Sequence, residues 1–391
     1  MGKIVSILRQ SKLLNVIFIC QIFLSFHYYL IIYINSSFLD QFFTETQISS
    51  LYIIGSVLSI FVLLNISKLL KKIGNYKTTL YGIALEMISI LGLTLSSNPF
   101  LIALYFTITQ IVNLTILFNL DIFLESLSTK EEDTGSIRSI YLTVSNITLV
   151  IAPTIASFLI IQDTYWRVYA TSFLFIIPLY IFIKRYFKDY KDTTEKHIKI
   201  RETIKEYLRE KKLYNIFIIY FLLQFFYAFM VVYTPIYLRN IGFAWSEIGI
   251  MFTIMLLPFV IFQIPVGNLA DNKYGEKEFM TIGLIIIGLA TMSMGFITTQ
   301  SFIIWTSLLF MSRVGASILE ITADSYFFKQ VNQEKTNLIG FYRIARPLSF
   351  VVAPIVTTIA SQFIPLQYTF LVMGAFMIIG VKYSLSIIDS R

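Results

Sequence analysis

The side chains able to do chemistry are few, and most lie inside long apolar runs. In the run from about 301 to 326, Arg313, Glu320 and Asp324 are spaced i, i+7, i+11. At 100° per helical residue all three fall within about 40° of one line, with Ser317 and Thr306 on the same face. A guanidinium there suits an anionic or carboxylate-bearing solute, held through paired hydrogen bonds. Paired with an acid from a neighbouring helix, it would only brace the bundle. In the run 99–125, Gln110 and Asp121 at i and i+11 are nearly aligned, and Thr107 and Asn113 flank Gln110. Glu125 lies on the Thr107 side of this broad face. Gln110 and Asn113 offer amides to a solute or to another helix. The acids that end these two runs, Asp121 with Glu125 and Glu320 with Asp324, meet bases that begin the next runs, Arg138 and Arg343 with Arg346. Such an ion-pair network can store a free-energy difference between two conformations. Proton carriage is the alternative role.

Two further faces are polar. Gln21, Ser25 and Tyr28 share one face of the first run, and Tyr220, Gln224 and Tyr227 one face of the seventh. Tyrosine and glutamine give a solute hydroxyls and amides while presenting apolar flanks; packing between helices uses the same groups. His27, off the Gln21–Tyr28 face, and Glu86, in the third run, are candidate proton carriers by residue type. Glu86 is expected to face a neighbouring helix rather than a solute.

These groups must be held by whatever the apolar runs form. Of 391 residues, 56% are hydrophobic and 14% charged, against about 25% charged in average globular chains. About twenty apolar residues cross a bilayer. On that ruler, spans fall near 13–36, 48–67, 77–96, 99–125, 136–161, 165–184, 214–237, 247–268, 279–298, 301–326, 337–362 and 366–387. Only helices and closed barrels cross a bilayer, and these runs are too long for barrel strands. The fold class is therefore an all-α polytopic membrane protein of twelve spans.

The net charge of +8 sits between the spans and so points to a membrane side, not to nucleic acid. Lys3, Arg9 and Lys12 open the chain, Lys68, Lys71 and Lys72 fill the second loop, and 185–213 carries ten lysines and arginines. The alternate loops hold only Arg167 and Arg239, beside acids such as Asp40, Glu45, Asp163 and Glu247. The positive-inside rule places both termini and the central loop in the cytoplasm, with the plasma membrane as the expected location. The run that follows Lys12 is too long for a signal peptide. Residues 194–212 read as an amphipathic helix on the inner membrane surface or as a solvated linker. The organisation expected is a six-helix bundle over 1–184, a basic linker over 185–213 and a second six-helix bundle over 214–391.

The halves repeat. Ala152-Pro153 matches Ala353-Pro354 at an offset of 201, and the same offset pairs Tyr141 with Tyr342, Thr148 with Ser349 and Gly74 with Gly275. Upstream the offset is 200, pairing Tyr33 with Tyr233, Thr46 with Ser246, Ile48 with Ile248 and Ser67 with Gly267. One extra residue in the loop GNLADNKYG accounts for the shift. Paired membrane halves imply a solute site between them and a rocking motion.

The loop Gly267-Asn268-Leu269-Ala270-Asp271-Asn272-Lys273-Tyr274-Gly275-Glu276-Lys277 resembles the signature of the major facilitator superfamily, roughly G-x-L-A-D-[RK]-x-G-[RK], with one residue inserted. Its counterpart, from Ser67 to Asn75, keeps Gly74 and puts Lys71 where the aspartate belongs. The resemblance covers the whole chain. It implies two pseudo-symmetric six-helix bundles, a tenth span lining the cavity, and Asp271 approaching the start of the fifth span. Ala152–Ser157 is a small-residue echo of the family's antiporter motif, which leaves antiport open.

The function expected is secondary transport by alternating access of a small polar or anionic solute, with a proton as candidate coupling ion and the chain acting as a monomer. A drug/proton antiporter and a non-transporting solute sensor are the alternatives. The sequence has no D-D-x-x-D, H-E-x-x-H, G-x-S-x-G or G-x-x-x-x-G-K-[ST] pattern, so neither an intramembrane enzyme nor ATP-driven pumping is expected. One cysteine, Cys20, and two histidines leave no basis for a disulfide, a metal site or a cofactor.

Overall fold

The computed structural model describes residues 12–127, 131–190, 200–270, 275–330 and 336–387. Among them the secondary structure is helical and no strand forms. The first compact unit holds α1 (Lys12–Ile32), α2 (Asn35–Leu39), most of α3 (Glu45–Ile73), α4 (Asn75–Leu95), α5 (Pro99–Leu127), α6 (Glu131–Leu159) and α7 (Trp166–Tyr186). The second holds α8 (Ile200–Arg209), α9 (Lys211–Asn240), α10 (Trp245–Leu256), α11 (Pro258–Ile261), α12 (Gln263–Leu269), α13 (Glu276–Met294), α14 (Phe302–Gln330), α15 (Thr336–Ser361) and α16 (Leu366–Leu385). Residues Phe43–Ile53, including the start of α3, cluster with the second unit.

Eleven helical segments are long and apolar enough to cross a membrane. The twelfth span is α6, whose charged first turns leave a shorter apolar stretch, Thr143–Leu159. The eighth span, read from sequence as one helix, is broken into α10, α11 and α12. Pro258 lacks the N–H that would continue the ladder, and Leu257 N–H turns to the Ile254 carbonyl instead.

Each unit pairs its helices in the same order. In the first, α1 packs on α6 and α7, and α4 on α5 and α7; in the second, α9 packs on α15 and α16, and α13 on α14 and α16. The residues matched by the repeat behave alike. Tyr141 and Tyr342, Ala152 and Ala353, Tyr33 and Tyr233, and Ile48 and Ile248 are buried in both copies. Gly74 and Gly275 precede α4 and α13 with φ of 83° and 90°, a left-handed geometry that favours glycine. The fold is two pseudo-symmetric bundles.

Lipid supplies no hydrophobic drive between helices, so close backbone approach matters. A Cβ on Gly315 of α14 would sit 2.7 Å from the Gly283 carbonyl of α13. That contact fixes the face of α14 turned to α13, and with it the direction of the polar face. The linker helix α8 is docked rather than free: Tyr207 is buried, donates to the Leu338 carbonyl at 2.8 Å and packs on Phe217 and Phe341. Burial, with Glu206 nearby, pushes the Tyr207 phenol up, so it stays a donor. Leu208 on the other side remains exposed.

Candidate functional site

Two polar clusters are buried, one in each compact unit. In the second unit α14 runs unbroken for 29 residues and carries Arg313, Ser317, Glu320 and Asp324. Arg313 is 1% exposed. Its guanidinium carbon lies 4.8 Å from the ring centre of Phe226 and 5.6 Å from that of Tyr227, both on α9. Nη1 is buried with no hydrogen-bond partner, and among the described residues the guanidinium forms no ion pair. The cation is thus held by ring faces rather than by an acid.

Two turns further along, Glu320 accepts from the Tyr227 hydroxyl at 3.4 Å and from Gln263 Nε2 at 3.2 Å. Tyr227 therefore touches both charges. Arg346, Arg313 and Asp324 lie within electrostatic reach of Glu320. Asp324 accepts from Tyr342 at 3.2 Å, and Tyr342 stacks against Tyr220 and Phe327, each with centroids 3.9 Å apart. Arg343 and Arg346 bear on Tyr220 as well. The acids ending α14 and the bases opening α15 do gather. Gln224 is buried on α9, and Ser317 spends its hydroxyl on the Val314 carbonyl at 3.0 Å.

The first unit holds the other cluster. Glu86 on α4 and His27 on α1 are both fully buried, with His27 Nε2 3.1 Å from Glu86 Oε1. Asn113 of α5 donates to the same oxygen at 2.9 Å. Ser172 of α7 closes the other end of the imidazole, its hydroxyl 2.8 Å from Nδ1. The two candidate proton carriers are one hydrogen-bonded pair, and the Asn113 amide is committed to it.

The remaining candidates are spread out. Gln21 is buried with Oε1 unpartnered, and Gln110 has Nε2 unpartnered and packs on Gly55 of α3. Ser25, beside Tyr28 on α1, donates to Ser145 at 3.2 Å. Tyr28 and Asp121 are half-buried. The side chains of Glu125 and Arg138, and Asp271 as a whole, lie outside the described residues.

Sequence reasoning missed four participants. Gln263 reaches Glu320 because the prolines at 258 and 265 break the span around it, and those prolines were the available signal. Phe226 and Ser172 gave none, since an aromatic or a serine in an apolar run is ordinary packing. Glu276, in the signature-like loop, binds Lys329 of α14; acid after glycine at a helix start was the clue. A polar cavity of about 190 Å³ also lies in the second unit, lined by Glu45, Ser49, Tyr233, Thr357, Ser361 and Gln362 among others, with Ser49 and Tyr233 bonded at 2.8 Å.

The family model described as Major Facilitator Superfamily matches residues 17–250 and 238–386. The chain belongs to the Major Facilitator Superfamily. It is thus an integral membrane protein. Over 90 residues this superfamily member is 33% identical to an uncharacterized MFS-type transporter of Methanocaldococcus jannaschii, a match covering 23% of each chain, so that it spans about a quarter of that relative's length. Its fold is similar to the crystal structure of the nucleoside transporter NupG, with a TM-score of 0.76, 12% identity, and coverage of 96% of this chain and 99% of that one. The D323A mutant of NupG matches with the same values. At that identity the likeness concerns the fold.

Proposed function

We propose that this protein is a secondary transporter, working by alternating access, for a small solute bearing a carboxylate or another anionic group, with Arg313 as the anchor. One observation carries the reading: a guanidinium 1% exposed, with an unpartnered Nη1 and, among the described residues, no ion pair. An isolated buried cation costs several kcal/mol. Two ring faces offset about 2 kcal/mol of that, which leaves a large favourable term for an arriving anion. A bidentate pair with a carboxylate would satisfy the fork as nothing among the described residues does. Tyr227 links this anchor to Glu320, so an anion drawn to Arg313 also disturbs the contacts of the acid. In that way solute binding would reach the Glu320, Asp324, Arg343 and Arg346 network, which we assign to the inner gate together with Asp121, Glu125, Arg138 and Asp271. The positive loops support cytoplasmic termini in a plasma membrane.

The test is accumulation in sealed proteoliposomes of a labelled panel: monocarboxylates, dicarboxylates, organic phosphates, and neutral nucleosides as the contrast. At least one anion should accumulate, and Arg313→Met should lower kcat/KM for it by roughly 100-fold or more. Accumulation of a neutral solute alone, or anion uptake indifferent to Arg313→Met, would overturn the reading. Saturable binding without accumulation would favour a sensor.

A further inference from the structure

We infer that Glu86, His27, Asn113 and Thr109 form a proton-binding site in the first bundle, which identifies the coupling ion of the transporter proposed above and rests on that reading for its role. Hydrogen-bond counting shows why. The Ser172 hydroxyl lies 2.9 Å from the His27 carbonyl, which can only accept, so the single hydroxyl proton goes there. The same oxygen, 2.8 Å from His27 Nδ1, must then accept, and Nδ1 carries hydrogen. The Ser172 carbonyl, 3.3 Å from Nδ1, agrees, since it too can only accept. At the other ring nitrogen, Nε2 and Glu86 Oε1 are 3.1 Å apart and need one proton between them, on either atom. The pair as seen holds one shared proton and is electrically neutral.

It is also incomplete. Glu86 Oε2 and Asn113 Oδ1 are buried oxygens with no hydrogen-bond partner, on residues exposed by 0% and 4%, and the Thr109 hydroxyl, on a residue 3% exposed, bears on Glu86 as well. Buried polar atoms are nearly always satisfied. A second proton on Glu86 Oε2 supplies the donor that Asn113 Oδ1 lacks. Asn113 already donates to Oε1 at 2.9 Å, so a protonated Oε2 that donates to Asn113 Oδ1 completes a two-point acid–amide pair. The balance is simple: a hydronium gives its proton to Oε2 and leaves as water, His27 keeps both ring hydrogens, and the site gains one positive charge. Loading one proton with one monoanion keeps the moved charge at zero. Among the described residues the titratable group facing Glu86 is His27 of α1, while α5 offers Asn113 and Thr109, and Ser172 of α7 meets the far side of the imidazole; none of these three titrates. Two unpartnered oxygens and one hydroxyl fall short of the roughly six that hard divalent cations require, whereas a proton needs one acceptor.

His27 and His197 are the only histidines, so His197→Gln in nitrogen-labelled full-length protein isolates the His27 signal in a nanodisc. Infrared difference spectra between high and low pH follow the carbonyl stretch of a protonated carboxyl in the same sample. On acidification a carboxylic-acid band should grow while His27 is doubly protonated, and Glu86→Gln should abolish the band. Asn113→Leu, which removes the waiting acceptor, should shift the band to about tenfold higher proton concentration; it also keeps the proposal testable if Glu86→Gln does not fold. Absence of the band, or a band that grows only as His27 becomes neutral, would overturn the second proton. Suppression of the band by sodium but not potassium would overturn it in favour of a metal cation. No solute enters these measurements, so their failure leaves the Arg313 reading standing, and failure of the uptake test leaves the spectra informative.

Discussion

Glu86 and Arg313 are equally hidden from solvent, yet the two bundles treat their charges in opposite ways. Glu86 meets an imidazole, an amide and, through the ring, a serine, so its charge is matched within its own bundle. Arg313 meets two aromatic faces and keeps a terminal nitrogen unpartnered. A compensated buried pair is expensive to break, whereas an uncompensated charge is expensive to keep. The first belongs to a group whose proton inventory changes while its partners stay. The second belongs to a group whose partner arrives from outside.

Substitutions can break that contrast, and the largest effect is expected at the matched pair. Glu86→Leu strands the imidazole and the Asn113 amide, and should cost about 3–5 kcal/mol, seen as a large fall in Tm of the detergent-purified protein. A fall no larger than that of an ordinary surface change would mean the pair is not held as described. Arg313→Met should behave in the opposite sense. Removing an unpartnered buried cation should leave Tm unchanged or raise it, with a gain of about 1–2 kcal/mol, while solute uptake is lost. A drop of 3 kcal/mol or more, about the cost of breaking a buried pair, would mean that an acid pairs with Arg313 after all.

Smaller effects sharpen the picture. Gln263→Ala removes a hydrogen-bond donor to Glu320, leaving that of Tyr227, and should cost about 1 kcal/mol. Because Glu320 is assigned to the gate, this variant should change the ratio of outward to inward accessibility, read by single-cysteine labelling in a Cys20→Ala background, more than it changes solute affinity. Tyr207→Phe deletes the hydroxyl bond to Leu338, one turn before Tyr342, without touching Asp324, Glu320 or the Glu86 cluster. It should cost about 1 kcal/mol and leave both proton binding and solute selectivity as they were.

The fold was legible because run length and repetition are one-dimensional signals. The paired glycines at 74 and 275 and the paired prolines at 153 and 354 needed only counting, and the backbone angles at the glycines agree. The signature-like loop placed the family in the same way. The clusters were legible only in part. A helical wheel puts Gln110 and Asn113 on one broad face, but neighbours divide that face: Gln110 packs on Gly55 of α3, while Asn113 turns to Glu86 of α4. Glu86 was expected to face a neighbouring helix, and its partner proved to be His27, 59 residues away. No periodicity within a helix encodes which helix lies alongside. The ring faces under Arg313 were hidden for the same reason, since Phe226 reads as one apolar residue among many. The break that delivers Gln263 required weighing two prolines against a strong hydropathy signal, and hydropathy alone favoured a continuous span.

The central claim is that the buried guanidinium waits for an anion, and thermal stabilisation by the anion panel, run in parallel on native protein and Arg313→Met, tests it most directly. A ligand at 100 times its Kd adds about 2.7 kcal/mol to the state that binds it. The expected result is an anion that raises the Tm of the native chain and leaves that of Arg313→Met where it was. An equal rise in both proteins would contradict the claim.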